Sequence, residues 1–142
     1  MATAGGTRTP AQTFALVFGV VYLLIGIVGF AVTGFDDFAG KTFDDKLLIF
    51  PINPLHNLVH IAVGALWIGG AKTLASAKSV NTLIGVVYLL TFVLGMVGVL
   101  EFLAIEDAGS ADNYLHLASG ALSLYFGTVG AAGTMGARTT AA

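Results

Sequence analysis

The chain has no cysteine, so it can build neither a disulfide framework nor a thiolate metal site. Charge is almost as scarce. Asp, Glu, Lys and Arg make up 10% of its 142 residues, against about 25% in an ordinary soluble domain. No stretch gathers the bases into a stripe, which argues against nucleic acid as a partner. Only three prolines interrupt the chain. What fills it instead is apolar: 56% of the residues are hydrophobic. A chain this short leaves much of its surface exposed when it folds. The natural solvent for the excess is lipid.

A helix needs roughly 20 apolar residues to cross a bilayer. Four runs fit or nearly fit that length, at residues 13–35, 54–70, 80–105 and 112–133. The second is short but sharply bounded. Asn53-Pro54 reads as an N-cap followed by a first-turn proline, and Gly69-Gly70 closes the run. The first run is too long for the apolar part of a signal peptide, and only Arg8 precedes it, so it reads as a retained span. The expected fold is an all-α membrane protein: four transmembrane helices in an up-down-up-down bundle, one integral membrane domain over 1–142.

The few charges are sorted. Arg8, Lys72, Lys78 and Arg138 fall in the N-terminus, the middle loop and the C-terminus. All eight acids (Asp36, Asp37, Asp44, Asp45, Glu101, Glu106, Asp107 and Asp112) fall in or beside the first and third loops, with only Lys41 and Lys46 among them. The positive-inside rule then places both termini and the middle loop in the cytoplasm and the acidic loops outside. The expected location is the plasma membrane, multi-pass, with the lipid bilayer as principal partner and a homo-oligomer or larger membrane complex as a further option.

The second half of the chain restates the first. Gly19-Val20-Val21-Tyr22-Leu23-Leu24 returns letter for letter as Gly85-Val86-Val87-Tyr88-Leu89-Leu90. His56-Asn57-Leu58-Val59-His60 is matched by Asp112-Asn113-Tyr114-Leu115-His116. Gly29 pairs with Gly95, and Gly64 with Gly120. The repeats, 13–71 and 79–134, are each one helical hairpin entering from the same side. They therefore form parallel repeats related by a pseudo-two-fold axis along the membrane normal. Residues 17–70 should superpose on 83–126 once the first outer loop is excluded. Small residues at matched places suit close helix packing in lipid. Gly127, Gly130 and Gly133 form a further ridge, read as packing within the chain.

All three histidines sit at matched places. His56 and His60 are four apart and share a helix face; Asp112 and His116 hold the equivalent positions. Across a two-fold axis these groups converge, with His60 and His116 on the order of 9 Å from their helix starts. The amides of Asn57 and Asn113, and the matched hydroxyls of Tyr22 and Tyr88, complete a candidate ligand-binding or structural polar layer. Polar groups within a span usually face inward, where they often mark function. A transition metal held by His56, His60, His116 and Asp112 fits this chemistry. So does haem b between His60 and His116, or a hydrogen-bonded quinone, and so does a purely structural tie between the hairpins. No nucleophile–base arrangement stands out, so a catalytic site is not expected. The leading expectation is a non-enzymatic binding or accessory subunit. The alternatives are a metal- or haem-dependent redox protein and an oligomeric transporter or channel.

Through Asn53-Pro54-Leu55-His56-Asn57-Leu58-Val59-His60 and Asp112-Asn113-Tyr114-Leu115-His116 the chain resembles an actinobacterial family of small four-transmembrane-helix proteins of unknown function. The resemblance runs from about Thr13 to Gly133. It implies a plasma membrane protein and carries no activity with it.

Overall fold

A computed structural model describes residues 7–41 and 43–131. Gly133, Arg138 and the expected end of the second repeat at 134 lie outside the described residues. The structure is mostly helical, with α1 (Pro10–Thr33), α2 (Pro54–Gly70), α3 (Leu74–Met96) and α4 (Ala111–Gly127). Between α1 and α2 a small antiparallel ribbon pairs β1 (Lys46–Leu47) with β2 (Phe50–Pro51). A single 3-10 turn, Glu101–Leu103, lies between α3 and α4. Two of the helices, α1 and α3, are long and apolar enough to cross a membrane.

The helix starts have local causes. Thr9 and Gln12 form a reciprocal capping box around Pro10, so α1 begins three residues before the expected 13. Asn53 Oδ1 accepts the His56 N–H at 2.8 Å and starts α2 where expected. Thr73 and Ser76 cap each other's backbone, which begins α3 at Leu74 rather than at 80. That helix also stops at Met96 rather than 105. Gly98 takes a positive φ of 72°, and the chain turns into the 3-10 segment. The residues beyond it stay apolar, which is why composition alone extends the run. The fourth helix ends at Gly127, before the expected 133.

The helices pack as two antiparallel hairpins, α1 on α2 and α3 on α4. In the first, a Cβ added to Gly19 would sit 2.8 Å from Ile68 Cγ1, and one added to Gly26 only 2.5 Å from the Asn57 carbonyl oxygen. In the second, Gly85 abuts Leu124 and Gly120 abuts Leu89. Gly127 lies against Thr82 of α3, so this member of the glycine ridge packs within the chain. Where the hairpins meet, Phe14, Phe18, Trp67 and Phe126 form an aromatic cluster at the end away from the histidines. The Asn81 amide ties α3 to the Ala11 carbonyl at 3.1 Å.

Polarity is distributed inside out relative to a water-soluble protein. Val17, Leu24, Ile27, Leu83, Leu90 and Val93 are all more than half exposed, whereas Asn57, Asn81, Asn113 and Asp112 are 2% exposed or less. The apolar surface faces outward and the amides and carboxylate face inward.

Candidate metal centre

The polar interior gathers at one end, under the two loops 34–53 and 97–110. The first turns of α2 supply His56 and His60, and those of α4 supply Asp112 and His116; all four are buried. His56 and His60 sit four apart, so they stack along one helix face. Their Nε2 atoms are 3.0 Å apart, with one ring donating and the other accepting. The His116 ring lies 6.3 Å from that of His56. One ligand nitrogen from each of the three imidazoles lies within 4.8 Å of the others. Asp112 Oδ1 is 3.9 Å from His56 Nε2, so the two residues at matched places in the two hairpins face each other.

Aromatic rings hold the imidazoles in place. Tyr22 stacks on His60 with centroids 5.0 Å apart and planes 22° apart. Tyr88 stacks on His116 at 5.1 Å and 24°. The tyrosines themselves meet at 5.7 Å, and Trp67 packs edge-on against both. The Tyr22 hydroxyl is hydrogen-bonded to Ser119 Oγ at 2.7 Å, linking α1 to α4. Trp67 is fully buried in this packing.

Several buried polar atoms here lack a hydrogen-bond partner among the described residues: Nδ1 of His60 and of His116, and Asp112 Oδ2. A buried group left in this way costs about 1–3 kcal/mol.

Two cavities flank the cluster. One, of about 70 Å³, is lined by all three imidazoles, by Tyr88 and, from the loop above, by Leu103 and Ile105. The other, of about 90 Å³, lies on the far side, where His60 and Asp112 meet Leu47, Leu48 and Phe50 of the β-ribbon loop. The loop between α1 and α2 thus folds over the site. The two loops are also joined to each other. Asn53 Nδ2 donates to Gly40 O at 3.0 Å and to Phe102 O at 2.9 Å, and Lys41 pairs with Glu101 at 2.8 Å.

Of the residues singled out from the sequence, His56, His60, His116, Asp112, Tyr22 and Tyr88 come together. Asn57 and Asn113 do not join the imidazoles. Asn57 Nδ2 donates to Thr33 Oγ1 at 3.0 Å and Asn113 Nδ2 to Asp107 O at 2.7 Å, and their side chains lie directly over Gly29 and Gly95. Asn57 ties the start of α2 to the end of α1, and Asn113 ties the start of α4 to the loop before it while resting on Gly95 of α3. Sequence reading missed Ser119, which lies one turn after His116 and so shares its face; its counterpart in the first hairpin is Val63. It also missed Asn81 and the bridging role of Asn53.

Residues 12–129 match the model of a family described as a domain of unknown function (DUF4383), and the chain belongs to that family. No curated protein and no solved structure matches it.

Proposed function

We propose that the chain is a four-span integral membrane protein that holds a divalent transition-metal ion between its two helical hairpins. The observation that carries the metal reading is the convergence of three buried imidazoles, with ligand nitrogens within 4.8 Å of one another, beside the Asp112 carboxylate. Neutral imidazole with one carboxylate is a donor set suited to zinc and its neighbours in the first transition row. The stacked tyrosines would fix the ring planes, as supporting shells do around metal ligands. A porphyrin is far larger than either flanking cavity, and so is a quinone headgroup with its tail; the geometry therefore favours an ion over both.

The membrane reading rests on the outward apolar faces. The external rows of α2 and α4 (Leu58, Leu66, Tyr114, Leu122) are as exposed and as apolar as those of the two long helices. At about 1.5 Å per residue, the 17-residue α2 and α4 are about 25 Å long, a little under the ~30 Å hydrocarbon core. Apolar loop residues such as Ile49, Val97 and Phe102 extend the hydrophobic band beyond the helix ends. Matching stacks in the two hairpins support reading them as parallel repeats. The acidic loops, and with them the metal site, would face outward.

Elemental analysis of protein purified in detergent without chelator tests the metal. One equivalent of zinc, or of another first-row divalent ion, is expected, and its absence even after reconstitution with zinc would rule the reading out. Cysteines introduced at Asp44 and Ser76 should label from opposite sides of intact cells. Labelling of both from outside would overturn the topology.

A further inference from the structure

Resting on that metal reading, we infer that the ion keeps one coordination position open toward the 70 Å³ chamber and that a small monoanion, hydroxide or one of similar size, occupies it. The protein donors are unevenly placed. All three imidazoles line this chamber, but Asp112 does not; it lines the opposite cavity with His60. An ion on the three nitrogens therefore has carboxylate on one side and empty volume on the other. With the three imidazoles as ligands and Asp112 beside them as counter-charge, the fourth position is free, the arrangement that binds exogenous water or substrate, whereas purely structural sites are closed by four protein ligands.

The chamber's size sets an upper limit on the ligand. A cavity of about 150 Å³ takes benzene, so one of about 70 Å³ admits only a ligand of a few heavy atoms. Val59, Val63, Val87, Leu103 and Ile105 form apolar walls. The Thr91 hydroxyl donates to the Val87 carbonyl at 2.9 Å, which commits its proton. Tyr88 also lines the chamber, with its hydroxyl directed to that of Tyr22.

Charge selects an anion over a neutral ligand. Three neutral imidazoles contribute none, and Asp112 is the only carboxylate among the buried described residues. A divalent ion with Asp112 leaves one positive charge in a low-dielectric interior, where unpaired charge is strongly disfavoured. One monoanion brings the site to neutrality.

The full-length protein in detergent, loaded with Co(II), supplies the test through its visible absorption bands. Sodium azide should shift those bands saturably, whereas benzoate, too large for the chamber, should leave them unchanged. Val63→Phe should retain cobalt and weaken azide at least tenfold. The proposal is overturned if bound cobalt ignores azide, or if benzoate or Val63→Phe responds as azide and the native chain do. If Val63→Phe does not fold, the azide and benzoate pair on the native protein decides alone. A chain that takes up no cobalt shows no such bands, which overturns the underlying metal reading instead.

Discussion

The two hairpins carry the same stack and put it to different use. Tyr22 on His60 and Tyr88 on His116 agree within 0.1 Å and a few degrees. Gly64 packs on Leu23 and Gly120 on Leu89, the first contact being the tighter, and Asn57 and Asn113 each roof a glycine. The hairpins diverge at Ser119, whose counterpart is Val63, and, among the candidate metal donors, at the position one turn nearer the loops. There the α1–α2 hairpin has His56, bonded to His60, and the α3–α4 hairpin has Asp112, with one oxygen unpartnered. The scaffold residues are kept alike while one donor is changed from a neutral base to an acid. A tie between hairpins would be served as well by two like residues. A cation is served better by the mixed pair, because one member brings charge.

Removing a ligand from either hairpin should do the most damage, and equal damage if the site is shared. His60→Ala and His116→Ala are each expected to weaken zinc more than about 100-fold, since changes around the ligands alone cost 10–100-fold. Both should abolish the zinc-dependent rise in unfolding temperature, a stabilisation of about 2.7 kcal/mol at 100 times the dissociation constant. If instead each variant loses only about 0.6 kcal/mol, typical of a hydrogen bond between membrane helices, and zinc has no effect, the residues are merely structural.

Exchanging the unlike pair sharpens the comparison. His56→Asp alone should weaken zinc about tenfold or more, and adding Asp112→His should recover most of it, because the two positions face each other across the site. Isothermal titration measures both. A double variant no better than the single one would mean that the positions are not equivalent.

The matched glycines should behave alike and more mildly. Alanine at Gly29 collides with the Asn57 side chain, and at Gly95 with that of Asn113, so each displaces a buried amide from its hydrogen bond. Each is expected to cost about 1–3 kcal/mol of stability, read by thermal unfolding. A large effect in one hairpin with none in the other would break the correspondence. The smallest effect should come from Lys41→Gln. Its ion pair with Glu101 is largely exposed, 65% and 42% for the two side chains, and is worth about 0.5 kcal/mol or less.

Much of this was legible in the sequence because repetition marks positions independently of depth or direction. The matched Tyr, His and Gly residues lie where one pattern predicts the other, and Asn53-Pro54 announces the start of α2. Helix ends were less legible. From Val97 to Ile105 the residues are nearly as apolar as those in α3, so hydropathy sees no boundary; backbone geometry at Gly98 supplies it. Asn57 is next to His56 in sequence but about 100° around the helix. That rotation carries its amide to α1 and Thr33 rather than to α4. The fold of the α1–α2 loop over the site depends on Asn53 and the β-ribbon, which no periodicity reports.

Asn53 also sets how the site can be reached. Its oxygen caps α2, and its nitrogen holds Gly40 and Phe102, one from each loop above the histidines. Parting the loops breaks the bonds of the same amide that starts the helix, three residues before His56. Loop opening and fraying of the α2 start would then be coupled through one side chain. An ion would exchange at the rate of a local unfolding step, set by opening free energy, rather than at the nanosecond pace of side-chain motion. The site would hold its contents for far longer than its thin cover suggests.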